Sequence, residues 1–383
     1  MAGRIVLFGA TGYTGDLTAR ALVAEPKAVR PVLAGRDETR IRALAEELGD
    51  LDWAVADVAE PRTVRALIER GDVLVSTVGP FNRWGRPAVE AAIDAGAHYL
   101  DSTGEGRFIR EVFDNYGPRA QAAGCGLLTA FGYDWVPGNL AGALALARAG
   151  KQGKQARRVR IGYFVTGRAM TPKSLSGGTR ASAGGVMLDR GFAFRDGGLV
   201  SERPAKRVRR FEVKPGTRVQ TLTVSSTEHL ALPRVYPALT EVDVYLGWFG
   251  PASRALQGVS LAMAGITRLP GAKVGLDRLM AGLAKGSTGG PDAATRSRGR
   301  SLVLGEALDA SGEVLDVVRL EGVNGYDFTG RILAWGARTA AEGGLQSAGA
   351  LGPVDGFGLE ALQAGCLEAG LEASLEADLE LER

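Results

Sequence analysis

The sequence predicts an α/β architecture: a doubly wound parallel sheet together with a mixed or antiparallel-sheet α+β domain. Three observations predict it. A short apolar run, Arg4 to Phe8, leads straight into a glycine-rich turn and then a helix-forming stretch. Apolar β-branched runs then alternate with helical patterns as far as residue 130, the order of strand–helix–strand units. Beyond about residue 137 the strand-like runs continue without regular helical crossovers, which changes the expected sheet from parallel to mixed or antiparallel.

The opening run Arg4-Ile5-Val6-Leu7-Phe8 has no polar alternation after Arg4, so it reads as a strand buried on both faces. Gly9-Ala10-Thr11-Gly12-Tyr13-Thr14-Gly15 follows, then a helix from Leu17 to Ala24. In this strand–turn–helix setting the glycine spacing means dinucleotide binding, as in Rossmann folds. Gly9 permits the tight turn, Gly12 lets the backbone approach a pyrophosphate, and Gly15 lets helix and strand pack closely. The helix start offers free N–H groups and a partial positive charge to the phosphates. The second strand, Pro31 to Ala34, ends at Gly35-Arg36-Asp37. Arg36 stands 21 positions past Gly15, where an NAD site carries an acid for the ribose 2′-hydroxyl. An arginine there suits a 2′-phosphate, so the expected cofactor is NADP(H). Arg40 is a candidate second phosphate contact, Asp37 a competing signal, and a solvated Arg36 the plain alternative.

A helix over Glu38–Leu48 leads to a third strand at Trp53–Ala56. Asp57 at its end suits either an adenine contact or a helix N-cap. Thr63–Arg70 reads as helix, Val73–Val78 as the fourth strand, Pro87–Ala95 as helix and His98–Asp101 as the fifth strand. Phe108–Ala123 reads as helix and Gly126–Ala130 as the sixth strand. The glycine-rich and polar turns fall at carboxyl ends of strands, the edge where such sheets bind ligands.

Asn139–Arg148 reads as a linking helix. Strands are expected at Val159–Thr166, Arg207–Val213, Val219–Ser225, Glu241–Leu246, Ser301–Leu308 and Val314–Leu320. Ala252–Leu283 is helical with a break near Pro270, and its Leu, Met and Ile positions suit a dimer interface, a buried helix or a docking face. Gly286–Arg300 is expected as a mobile loop, Thr329–Glu342 as helix, and Gly358–Leu381 as a terminal helix with an acidic, solvated end. The expected boundaries are 1–137 for the NADP-binding domain, 138–328 for a substrate and dimerisation domain, and 329–383 for the C-terminal helices.

Composition excludes several classes. The 383 residues carry a formal charge of only +3, too little to argue for nucleic acid. Two cysteines, Cys125 and Cys366, lie far apart, so no disulfide framework is expected. With two histidines, His98 and His229, a metal site would need carboxylates almost alone, and none is expected. The N-terminus starts as a strand rather than a leader, and no apolar run reaches the roughly 18 residues that span a bilayer; the expected location is cytoplasmic. None of the eight tyrosines has a lysine four positions on, which argues against short-chain dehydrogenases. No Gly-x-Ser-x-Gly or Cys–His pattern suggests hydrolysis.

The chain resembles the saccharopine dehydrogenase-like oxidoreductases, a broad family that includes saccharopine reductases and the trans-acting enoyl reductases of actinobacterial lipid synthesis. The opening Gly-Ala-Thr-Gly-Tyr-Thr-Gly, Ala34-Gly35-Arg36 and Thr77-Val78-Gly79-Pro80-Phe81 carry the resemblance. So do Tyr99 to Glu105, Phe131 to Asp134 with Pro137, and Ser176 to Thr179 with Ser182. Gly325-Tyr326 and Gly352-Pro353 with Phe357-Gly358 extend it more loosely. It implies an NADP-dependent reductase with a catalytic α/β domain and an inserted mixed-sheet domain, in which the C-terminal helices, 329–383, fold back onto the first domain. The basic residues that an amino-diacid substrate needs cannot be placed in this sequence.

The nicotinamide is expected across the ends of the first, fourth and fifth strands. Thr77, Val78, Gly79 and Pro80 would pass beside its ribose, and Asp101 to Glu105 would border the reacting face. Tyr133 is the first candidate for proton donor, with Asp134 or Asp101 tuning it; a packed hinge tyrosine and a turn aspartate are the alternatives. Glu105, Thr179, Ser182 and His229 are candidate substrate residues, with helix capping the alternative for Thr179 and Ser182 and a structural role for His229. The expected function is NADPH-dependent reduction of a C=C or C=N bond in a small or carrier-bound metabolite, by a homodimer. A non-catalytic NADP-binding sensor or docking protein is the reading from a different class.

Overall fold

A computed structural model describes residues 3–167, 191–266 and 289–374. The chain divides into two compact units: Met1–Gly104, Phe108–Val136 and Val323–Leu371 form one, and Glu105–Arg107, Pro137–Gly322 and Glu372–Arg383 the other.

The first unit is built on a parallel sheet. Its strands are β1 (Ile5–Phe8), β2 (Val32–Gly35), β3 (Trp53–Val55), β4 (Val73–Ser76), β5 (His98–Asp101) and β6 (Gly126–Leu128), joined by a seventh at Gly349–Ala350. The order is Gly349–Ala350, β6, β5, β4, β1, β2, β3. Strand order reverses between β1 and β4, which opens a crevice at their carboxyl ends. Every residue of β1 and β4 is buried, as expected for central strands covered on both faces.

Helix Tyr13–Leu22 follows the glycine turn, and helix Gly325–Ala341 lies along it. A Cβ on Gly330 would stand 3.0 Å from Leu17 backbone and side-chain atoms, so glycine is what permits this approach. Tyr13 meets Tyr326, Leu17 meets Gly330, and Arg338 Nη1 donates to Ala21 O at 3.4 Å. The two helices are therefore parallel, with their N-terminal ends together. Like-directed dipoles repel, and Asn324 offsets this by accepting from Tyr326 N and Asp327 N, both at 3.0 Å. Phe131, Trp335 and Phe357 form a buried aromatic group with centroids 4.7–6.3 Å apart.

The second unit holds a mixed sheet of β7 (Arg158–Gly167), β8 (Gly191–Arg195), β9 (Gly198–Glu202), β10 (Val208–Lys214), β11 (Thr217–Thr223), β12 (Glu241–Leu246), β13 (Gly299–Leu308) and β14 (Val314–Val323), with a last strand at Leu371–Ser374. The main path runs β10, β11, β12, β7, β13, β14 and Leu371–Ser374, with the β8–β9 hairpin off β12. β12 is parallel to β7, whereas β13 is antiparallel to it. Phe164, Phe211, Val213, Tyr245, Leu302 and Leu304 form a core here.

Several expected elements differ. The helix expected at Thr63–Arg70 covers Pro61–Arg65, since Pro61 starts it two residues earlier. The expected Phe108–Ala123 helix is three pieces: Gly106–Glu111, a π-turn at Val112–Tyr116, and Gly117–Ala123. Pro118 has no N–H for the regular ladder. The linking helix is longer, Val136–Lys151. Gly286–Arg300 is not all loop: Asp292 caps a short helix at Ala293–Ser297, and β13 begins at Gly299. Of the expected terminal helix Gly358–Leu381, Leu359–Glu368 is helix, Gly370, at φ +91, turns the chain into the strand Leu371–Ser374, and residues 375–381 lie outside the described residues. Of Ala252–Leu283, Ser253–Ile266 is helix, and residues 267–283 lie outside the described residues.

Candidate functional site

The glycine turn is shaped by contacts that exclude side chains. Gly9 sits at φ +90, and a Cβ there would lie 2.7 Å from Thr77 Oγ1 and 2.9 Å from Val78 Cγ2. Thr77 N donates to Phe8 O at 2.9 Å and Thr77 Oγ1 to Gly9 O at 3.1 Å. The end of β4 thus braces the turn from beneath. A Cβ on Gly15 would stand 2.2 Å from Gly9 O, whereas one on Gly12 would meet only Gly9 O, at 3.2 Å. Gly12 is the N-cap of helix Tyr13–Leu22, and no side chain among the described residues caps that end. The N–H of Gly12 donates to Gly9 O at 2.9 Å, and the first helical turn beyond it has no side-chain cap, the setting in which a helix start meets an anion. The residues present therefore fit a dinucleotide.

The edge beyond β2 separates the two candidate cofactor signals. Asp37 caps helix Glu38–Glu47 by accepting from Arg40 N at 3.1 Å. Arg40 Nη2 donates to Thr11 O at 2.9 Å. Arg36 is exposed and makes no hydrogen bond or ion pair among the described residues. The carboxylate that could bind a ribose is occupied, and the arginine is not. Asp57 Oδ1 accepts from Ala59 N at 2.9 Å, which ties it into a turn, and the helix that follows takes Glu60 as its N-cap. Pro80 follows a cis peptide from Gly79 and begins a short helix, Phe81–Trp84. Thr14 O accepts from Thr18 Oγ1 at 2.9 Å.

Asp101 is buried at the end of β5. Its Oδ1 accepts from Thr103 N and Ala130 N, and its Oδ2 from Thr129 Oγ1, all at 2.8 Å. Burial pushes its carboxyl up to about 6 against the pull of these donors. Asp101 thereby joins the ends of β5 and β6. Tyr133 N donates to Thr329 Oγ1 at 3.0 Å. The Tyr133 ring meets Phe328 edge-on at 6.2 Å, and a Cβ on Gly325 would come 2.8 Å from it. Asp134 keeps some exposure as a residue, yet its Oδ1 is sealed from solvent and accepts no hydrogen bond among the described residues. Burial alone raises this carboxyl to about 7. Gly104 lies over it, with a Cβ position 3.1 Å from Asp134 Oδ2.

Glu105 and His229 belong to the second unit and are both buried. His229 Nδ1 lies 3.0 Å from Ser226 Oγ, and its ring meets Phe192 edge-on. Burial, with Arg195 nearby, lowers the imidazole to about 4. Beside it, Tyr163 OH donates to Glu228 Oε1 at 2.7 Å and accepts from Gly138 N at 2.8 Å. Thr179 and Ser182 lie outside the described residues.

Sequence reasoning missed Thr329, Thr129 and Gly104 as partners of candidate residues. The Gly325-Tyr326 pair and Gly352-Pro353 with Phe357-Gly358 were the available signals for the returning segment. Among the described residues no group of His, Cys, Asp or Glu could hold a metal ion, and no helix is long and apolar enough to cross a membrane.

Comparison with known proteins agrees with this geometry. Residues 5–126 match the family model for the saccharopine dehydrogenase NADP binding domain. A trans-acting enoyl reductase of Mycobacterium ulcerans is 41% identical over 140 residues, covering 36% of this chain and 34% of that protein. A putative trans-acting enoyl reductase of Mycobacterium tuberculosis is 42% identical over 140 residues, 36% of this chain and 33% of its own length. The match thus spans about a third of these relatives. Apo saccharopine dehydrogenase (L-Glu forming) from Saccharomyces cerevisiae has the same fold over 97% of this chain and 99% of its own, at TM-score 0.61 and 13% identity. Homospermidine synthase from Legionella pneumophila does so over 98% and 91%, at TM-score 0.59 and 11% identity. In its glycine turn, its strand order and its matched sequence, the segment 5–126 is thus similar to the saccharopine dehydrogenase NADP binding domain.

Proposed function

We propose that the protein is an NADPH-dependent reductase that saturates a carbon–carbon double bond in a carrier-bound substrate. The observation that carries the reading is the uncapped helix start at Gly12 beside an unengaged Arg36, in a domain matched as NADP-binding. The relatives named trans-acting enoyl reductase support the C=C bond over C=N and a carrier-bound over a free substrate. Bound NADPH would supply the hydride.

In this reading the first turn of helix Tyr13–Leu22 faces the pyrophosphate, and Arg36 pairs with the 2′-phosphate. Thr77, Val78, Gly79 and Pro80 form the floor beside the nicotinamide ribose. Tyr133 and Asp134 are the proton-handling candidates at the end of β6. The sealed, unbonded Asp134 Oδ1 and the raised carboxyl support a group that is protonated near neutrality and has a proton to give. Asp101 acts by position, holding the β5 and β6 ends together. Glu105 and His229 are the proposed substrate contacts of the second unit. The reading includes a cytoplasmic homodimer, which the exposed Val259 and Leu261 support and sedimentation would test.

The test is loss of NADPH absorbance with a panel of enoyl thioesters, enones and imines. Turnover of enoyl thioesters alone is expected. NADPH binding without turnover of any substrate would favour a sensor or docking protein instead.

A further inference from the structure

We propose that Tyr326, on the returning C-terminal segment, is a positioning residue of the dinucleotide site and sets the Tyr13 ring beside the phosphate-binding turn. The proposal rests on the cofactor reading above. Tyr13 follows Gly12 directly, so its ring borders the helix end that the pyrophosphate would meet. Left alone on that turn, a half-exposed tyrosine would sample several rotamers. The Tyr326 ring stands at 85° to it with centroids 5.2 Å apart, the edge-to-face arrangement that aromatic quadrupoles favour.

What makes Tyr326 a fixed partner is the helix that carries it. Asn324 accepts from the N–H groups of Tyr326 and Asp327 and holds the first turn. One turn later, Gly330 sits against Leu17, so the helix cannot slide along its neighbour without a clash. The same turn reaches the proton-handling candidates. Gly325 faces the Tyr133 ring, and Thr329 Oγ1 accepts from Tyr133 N. Five consecutive residues, 325 to 329, therefore set the position of one tyrosine at the phosphate turn and of another at the end of β6. No part of the glycine fingerprint encodes this placement.

The experiment is calorimetric titration of the full chain with NADPH and, separately, with 2′-AMP, which reaches Arg36 but lacks the pyrophosphate. Tyr326→Ala is expected to weaken NADPH by roughly three- to tenfold, the measure of one aromatic pair, and to leave 2′-AMP unchanged. Tyr326→Phe keeps the ring and is expected to restore NADPH affinity. Equal weakening of both ligands by Tyr326→Ala would mean a general loosening of the fold and would overturn the proposal. Native NADPH affinity in Tyr326→Ala would overturn it while leaving the cofactor reading intact. Absence of NADPH binding in the native chain would overturn both.

Discussion

Arg40 reaches back across the carboxyl edge of the first sheet and donates from Nη2 to Thr11 O at 2.9 Å. The bond links the helix after β2 to the glycine turn after β1. It also engages Arg40, leaving Arg36 as the cation free to meet a 2′-phosphate.

Arg36→Ala should therefore weaken NADPH by about 1.5–3 kcal/mol, the cost of a lost charge-assisted hydrogen bond. NADH should be nearly unaffected. Calorimetry with both cofactors checks this, and equal weakening of the two would show that Arg36 does not read the phosphate.

Gly12 and Gly15 should separate binding from folding. A Cβ on Gly15 would come 2.2 Å from Gly9 O, so Gly15→Ala should cost about 1–3 kcal/mol of stability through overpacking. A Cβ on Gly12 is only tight, at 3.2 Å from the same oxygen. Gly12→Val should keep most of the stability and abolish NADPH binding, because its branches would fill the pyrophosphate position. Denaturant melts and cofactor titration of both variants decide. A Gly12→Val protein that still binds would move the cofactor off this turn.

Asp134 is expected to act in its protonated form. Burial holds its carboxyl at about 7, so turnover should fall as pH rises above that value. Asp134→Asn should lower turnover by roughly 10²–10⁴-fold and remove this limb while NADPH affinity persists. Tyr133→Phe should lose turnover without loss of binding if its hydroxyl shares the proton. An unchanged pH profile in Asp134→Asn would exclude the aspartate.

Glu228 gives a stability prediction in the second unit. Burial raises its carboxyl from 4.5 to about 7, so the fold favours the protonated form. That contribution is complete below the unfolded value and is lost as pH rises through about 7. Glu228→Gln keeps an acceptor for Tyr163 OH without the charge. Relative to the native chain, the variant should gain on the order of 2–3 kcal/mol between pH 4.5 and 7. His229 works in the opposite sense: its lowered value, about 4, costs stability as pH falls from 6.5. Comparing native and variant melts at each pH cancels that term. A constant difference between them would mean that Glu228 is charged in the fold.

The first sheet was legible because its strands are short, apolar and closed by glycine or polar turns. His98–Asp101 and Glu241–Leu246 fall where the sequence puts them. Gly349–Ala350 was not legible, since two residues carry no periodicity. The β8–β9 hairpin carried a signal that was passed over: Asp196 and Gly197 both take positive φ, at 50 and 76, the Asp-Gly turn that joins two strands. The glycine turn and Arg36 could be read locally because backbone geometry and side-chain type suffice there. The surroundings of Tyr133 and Asp134 could not. Thr329 is 196 residues from the amide it receives, and Gly104 is remote in sequence from the carboxyl it covers.

The return of residues 323–371 to the first unit also sets an order of events during synthesis. When β6 leaves the ribosome, its outer edge has no neighbour, and Phe131 lacks Trp335 and Phe357. Roughly two hundred further residues, about 10–40 seconds of translation, must pass before Gly349–Ala350 closes that edge. Throughout that time the nascent chain exposes an open strand and an apolar surface, the features that recruit chaperones and drive misassembly. The second unit is made inside this interval, so its folding rate helps decide how long the first remains open.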